Sequence, residues 1–330
     1  MKNSIFQSFY LAVTMLIFNN SYASIQSDSL KSRIIPVDTV IKIKANPKLG
    51  FNYPYYLRIP KGLKKNDVQY LLVETNNTGV NDTLEFHEKE AYLQIMRNSL
   101  GSSICSNLKV PFLMPVFPRP QKEWTIYTHA FDSDAAKIKN GDMKRMDLQL
   151  IAMIKNAREV LKTHEILTKE KILMNGFSAS GTFANRFTLI HPELIAGVAC
   201  GGINAITILP IPESEGKSLK YPLGTKDFEK LFASKFNMKA YQKVPQYFYM
   251  GENDKNDAAS FDDAYSNSER EIIYELLGKT MIPDRFTKCE HIYAENKVNS
   301  TFKTYANIGH ETDQTVFMDV YIFFKNIISQ

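Results

Sequence analysis

Two short stretches of this chain, Val68-Gln69-Tyr70-Leu71-Leu72-Val73 and Val110-Pro111-Phe112-Leu113-Met114-Pro115-Val116, are apolar almost without interruption. A strand of that kind must be covered on both faces, as in a parallel sheet flanked by helices. Shorter strand-like runs follow at Lys171–Asn175, Leu194–Ala199, Gln246–Met250 and Phe302–Ile308. Helical patterns separate them, at residues 86–100, 143–163, 181–190 and 314–328. In the second of these, Leu148, Ile151, Ala152, Ile154 and Leu161 form an apolar face at helical spacing. Upstream, Val37–Ile43 and Tyr53–Ile59 alternate apolar with polar residues, the pattern of half-buried antiparallel strands. An antiparallel start followed by strands alternating with helices predicts a single α/β domain over residues 24–330, with a mostly parallel central sheet and helices on both faces. Residues 204–243 break the rhythm with Pro210, Pro212, Pro222 and a short helical piece at Asp227–Phe236, and are read as a cap insertion over the sheet.

The first residues bear on location. Lys2 precedes an apolar stretch from Ile5 to Phe18, and Ser21 and Ala23 place small residues where a signal peptidase reads. This predicts a signal peptide over 1–23 and a secreted or periplasmic protein. The stretch is short for a membrane span and is interrupted by Gln7 and Ser8, and no later segment approaches the length of a span. Lys and Arg number 40 against 35 Asp and Glu. The excess is spread along the chain with no basic run able to track a phosphate backbone, which argues against nucleic acid as partner. Cys105, Cys200 and Cys289 fit no metal-ligand spacing. Cys200 is expected to be a buried thiol, and an oxidising compartment leaves open a Cys105–Cys289 disulfide. With no metal cluster, phosphate loop or dinucleotide fingerprint, no metal or cofactor is expected.

Gly176-Phe177-Ser178-Ala179-Ser180-Gly181 lies between a predicted strand and a predicted helix. A serine there sits on a sharp turn that pushes its hydroxyl out above the sheet, and the turn demands small neighbours two residues to either side. Gly176 meets the first demand; Ser180 stands where the usual pattern has a second glycine. The helix starting just beyond Ser178 puts backbone N–H groups where a developing oxyanion would be held.

On such a sheet the acid and then the histidine follow the serine in chain order. His87, His129 and His164 precede Ser178, and His191 lies at the far end of the helix that the serine begins. His291 sits in a mixed helical stretch beside Cys289 and Tyr293. His310 follows a strand and Gly309 and precedes the last helix, where a general base belongs. For the acid, the loop after Gln246–Met250 offers Asp254, with Asp257 as the alternative. Trp124, Tyr127 and His129 form an aromatic group that either lines a pocket or packs in the core.

These residues resemble secreted α/β-hydrolases of the esterase and polyhydroxyalkanoate-depolymerase-like group. The likeness rests on Gly176–Gly181, Asn185–Glu193, Gly251–Asp254 and Gly309-His310, and on Tyr70–Val73 leading to Asn76-Asn77-Thr78-Gly79 and Phe117–Pro120 leading to Trp124–His129. It implies an oxyanion hole in which the N–H of Ala179 is joined by a backbone N–H near Asn76 or Asn77. Asn76-Asn77-Thr78 is also a glycosylation sequon, and a glycan there would obstruct such a site. The expected activity is cleavage of a small-molecule or polymeric carboxylic ester through an acyl-enzyme on Ser178. The alternatives are a serine peptidase with the same three residues and a binding protein that does not catalyse.

Overall fold

The computed structural model describes residues 33–65 and 67–330, so the signal peptide expected over 1–23 lies outside them. Eight strands form the main sheet: β1 (Thr39–Ile43), β2 (Tyr55–Ile59), β3 (Leu72–Val73), β4 (Phe112–Pro115), β5 (Ile172–Phe177), β6 (Ile195–Gly201), β7 (Gln246–Gly251) and β8 (Ser300–Tyr305). Their spatial order is β1-β2-β4-β3-β5-β6-β7-β8. The first two pairings are antiparallel and the remaining five are parallel.

The near-continuous apolar runs occupy the middle of this sheet. Leu71 and Val73 face one core with Leu113 and Met174, while Leu72 faces the other with Phe112, Met114 and Leu173. Leu71, Leu72 and Val73 are all wholly buried, each such side chain contributing about 1.5–3 kcal/mol. Helices α1 (Leu84–Leu93), α2 (Leu100–Leu108) and α7 (Gln314–Ile328) cover the second face. The first is covered by α3 (Met146–Thr163), α4 (Ala179–Ile190), α5 (Asn267–Leu277) and α6 (Phe286–Glu295).

Three readings of the sequence need correction. The single helix expected over 86–100 is interrupted at Gln94–Asn98, and Ser99, in extended conformation, starts α2 by accepting from Ser102 N–H. The strand expected over Val68–Val73 splits: Leu72 and Val73 enter the sheet, whereas Val68 and Gln69 pair with Leu167 and Thr168 in a separate ribbon. Cys105 and Cys289 are free thiols buried in the cores on opposite faces of the sheet, so no disulfide joins them. Residues 204–243, read from the sequence as a cap insertion, contribute Ile208, Tyr221, Phe228, Phe232 and Tyr241 to the larger core.

Candidate active site

β5 ends at Phe177 and α4 begins at Ala179, leaving Ser178 alone to reverse the chain. It does so at φ 60°, ψ −129°, a conformation that costs a non-glycine residue about 1–3 kcal/mol. Three contacts hold it there. The Ser178 N–H donates to Gly201 O at 2.9 Å, at the end of β6. The Ser180 hydroxyl accepts from Phe177 N–H and donates to Phe177 O, both at 2.9 Å, closing the turn from inside. A Cβ at Gly176 would overlap the Ser180 carbonyl, so residue 176 must be glycine. Ser180, where a second glycine is usual, is thus a working part of the turn.

His310 and Asp254 arrive from the ends of β8 and β7. Asn253 N–H donates to Ile308 O at 2.8 Å and lashes the two loops together. They cross so closely that a Cβ at Gly251 would meet the carbonyls of Ile308 and Gly309. His310 Nδ1 lies 2.8 Å from Asp254 Oδ2, and the Asp254 side chain is 1% exposed against 26% for His310. The second carboxylate oxygen accepts from Asn256 N–H at 2.9 Å. Phe177, next to Ser178, packs its ring 4.8 Å from the imidazole, which brings the histidine to the serine's end of the sheet. The Nε2 atom of His310 lies 3.0 Å from Asn256 Nδ2. This suits a ring with its hydrogen on Nδ1, donated to Asp254, and a lone pair on Nε2 accepting from the amide. Among the described residues the Ser178 hydroxyl makes no hydrogen bond.

Asp257, the alternative acid, faces elsewhere. It pairs with the wholly buried Arg285 and accepts from Ala259 N–H at 3.0 Å. Asp254 is the carboxylate on His310.

The Asn76–Asn77 loop reaches the serine turn through the Asn77 carboxamide, which donates to Phe177 O at 2.9 Å. Its backbone departs from expectation. Gln94 takes the Asn77 N–H with its Oε1 at 2.8 Å and donates to the Asn77 carbonyl at 2.7 Å, so that N–H is not free to hold an oxyanion. Asn76 clamps Phe117 in the same bidentate way, both bonds at 2.9 Å, and is itself wholly buried, which closes the sequon to glycosylation in the folded chain. Among the described residues no protein acceptor takes the N–H of Asn76 or of Ala179. Of the aromatic group only His129 is buried in the core, and none of the three lines the cavity near the serine turn. His129 is buried against Phe117 O at 2.7 Å, and burial pushes its ring down to about 3, so it stays neutral. Tyr127 stacks under Arg119, and Trp124 is half exposed.

Three solved structures share this arrangement of sheet and helices. A poly(aspartic acid) hydrolase from Sphingomonas sp. KT-1 superposes at TM-score 0.56 with 13% identity, covering 90% of this chain and 100% of its own. A poly(3-hydroxybutyrate) depolymerase from Bordetella parapertussis gives 0.52 and 15%, over 88% and 89%. An S-formylglutathione hydrolase from Agrobacterium tumefaciens gives 0.51 and 11%, over 88% and 94%. The chain has the α/β-hydrolase fold. Neither a protein-family model nor a curated protein matches the sequence, so the likeness is one of fold.

Beside the turn, this α/β-hydrolase fold opens a cavity of about 770 Å³. Asn77, Phe177 and Ser180 line it but Ser178 and His310 do not, and Glu74, Arg97 and Asp313 are among its polar lining. Glu74 is a strut that sequence alone did not reveal. Its Oε2 accepts from Asn175 Nδ2 and from Gly101 N–H, tying β3, β5 and the start of α2 together. Burial pushes this carboxyl up to about 7, and its hydrogen bonds offset that only in part. Between about 4.5 and 7 the folded chain therefore keeps a proton that the unfolded chain has released, and stability falls as pH rises through that window. Glu74→Gln, neutral throughout, should raise the Tm by about 2–4 °C near pH 8 and leave it unchanged near pH 4, as read by thermal unfolding of both proteins. A parallel loss at both pH values would contradict this account of Glu74.

Proposed function

We propose that the chain is a serine hydrolase that cleaves a carboxylic ester through an acyl-enzyme. The observation that carries this is the 2.8 Å contact between His310 and the buried Asp254, at the end of the sheet where Ser178 is held in a strained turn. In this reading His310 Nε2 takes the Ser178 proton as the oxygen attacks the ester carbonyl. Asp254 keeps the hydrogen on Nδ1 and stabilises the imidazolium that forms. The N–H of Ala179 and that of Asn76 receive the oxyanion. The imidazolium returns the proton to the departing alcohol, and water then repeats the sequence on the acyl-serine. Two of the structural neighbours, the poly(3-hydroxybutyrate) depolymerase and the S-formylglutathione hydrolase, bear names of ester- and thioester-cleaving enzymes, which supports the choice of an ester.

Export belongs to the same proposal and rests on residues 1–23. No helix of the described residues is long and apolar enough to cross a membrane.

Asn256 gives a sharper test than a substrate panel alone. Its amide holds the lone pair that the Ser178 hydroxyl needs, so it must swing aside before proton transfer. Removing a competitor worth about 0.5–1.5 kcal/mol should raise kcat/KM by about 2- to 10-fold in Asn256→Ala. The assay compares p-nitrophenyl acetate with a peptide p-nitroanilide. Faster ester cleavage by the variant supports the proposal, and turnover confined to the anilide would replace the esterase with a peptidase. A binding protein that does not catalyse, the reading that Asn256 on Nε2 favours, would turn over neither substrate in either form.

A further inference from the structure

A second concave surface lies away from the serine turn. The helical turn Ser133–Lys137, the segment through Arg145 that follows it, and residues 220–231 enclose a cleft of about 740 Å³. Six of its lining residues are basic: Lys137, Lys139, Lys144, Arg145, Lys220 and Lys230. All five lysines are exposed, and among the described residues none makes a salt bridge. Its two carboxylates are occupied. Asp227 accepts from Tyr221 N–H at 2.8 Å, and Glu269 closes the capping box of α5 through Ser266. Arg145 is committed to the buried Asp147 by two bonds of 2.8 and 2.7 Å.

Five exposed lysines face two carboxylates in this cleft, a concentration of positive charge that a net +5 spread over the whole chain does not explain. No run of the sequence announces it, because the fold assembles it from two segments some 80 residues apart. Like charges gathered on one concave wall raise the local potential and attract a chain of the opposite sign.

We propose that this cleft binds an acidic polypeptide segment. One feature argues against a nucleic-acid strand as the occupant. The one aromatic ring in the lining, Tyr221, is 1% exposed and spends its hydroxyl on Phe131 O, so no ring face is offered to a base. Ala136, Ile138 and Leu231 supply apolar wall for the stems of the acidic side chains.

The test uses the full chain and a fluorescein-labelled oligo-L-glutamate, read by fluorescence anisotropy. Binding should weaken with rising salt. The quadruple variant Lys139→Glu, Lys144→Glu, Lys220→Glu, Lys230→Glu should raise Kd by about tenfold or more. Four reversals elsewhere on the exposed surface, at Lys155, Lys162, Lys171 and Lys243, should change Kd by less than about threefold. Circular dichroism of both variants confirms that they fold. Equal weakening by the two sets would reduce the effect to net charge and overturn the proposal. So would absence of binding, or tighter binding of a single-stranded oligonucleotide of equal charge.

Discussion

Asp254→Asn should lower kcat/KM on an activated ester on the order of 10⁴-fold, while Asp257→Asn leaves it within a few fold. The asymmetry follows from what each carboxylate touches. Asp254 is the acceptor on His310 Nδ1, and an asparagine there presents either an amide donor or an oxygen without charge, so the imidazole loses both its orientation and its counter-charge. Asp257 is three residues further on but bonds to Arg285. Its replacement should appear in stability instead. Arg285 is wholly buried, and losing its only carboxylate among the described residues leaves a charge in the core held by carbonyls alone. Breaking one side of a buried pair costs about 3–5 kcal/mol, a loss reduced here because Asp257 is partly exposed. Steady-state kinetics and thermal unfolding on both variants separate the roles: one variant is slow and stable, the other active and less stable. If Asp257→Asn were the slower enzyme, the acid would be misassigned despite the geometry.

Gly176→Ala should cost about 10²-fold in rate or more, although residue 176 contacts no substrate. A methyl at this position overlaps the Ser180 carbonyl, so either the first turn of α4 or the end of β5 must move. Both elements fix Ser178, and a displacement of about 1 Å at a reacting group is enough for a loss of that size. The hydroxyl contacts of Ser180 with Phe177 would be strained in the same movement. Kinetics beside a thermal melt check this: a folded protein with kcat strongly reduced is the expected result. An alanine variant with full activity would show that the serine turn does not need its tight geometry.

Much of this site was legible because its residues fall where strands end. Gly176–Gly181 is a contiguous motif, and His310 follows from chain order and from Gly309 alone. Asp254 was favoured by its nearness to the end of the Gln246–Met250 strand, but only the structure shows Asp257 paired with Arg285, which lies 28 residues downstream with nothing local to link them. Contacts of that range set the limit of the sequence reading. Gln94 captures the Asn77 N–H from an interruption between two helices that periodicity reads as one helix. Glu74 looks like an ordinary charged residue at a strand end, and its burial becomes visible only when α2 packs over it. The pairing of Cys105 with Cys289 failed for a similar reason, since cysteine counts carry no information about which face of a sheet each thiol joins. Helix α5 escaped and α6 was read only as a mixed helical stretch around His291, because Gly278 and Pro283 interrupt the apolar pattern between them. The Ser266–Glu269 capping box was the available signal for the first.

The central claim, that Ser178 is a nucleophile activated by His310, is tested most directly by labelling with a fluorophosphonate probe followed by peptide mass spectrometry. The account predicts one adduct per chain, on Ser178, that disappears in Ser178→Ala and is strongly slowed in His310→Ala, with both variants folded. An adduct on another residue, or equal labelling of parent and Ser178→Ala, would contradict it.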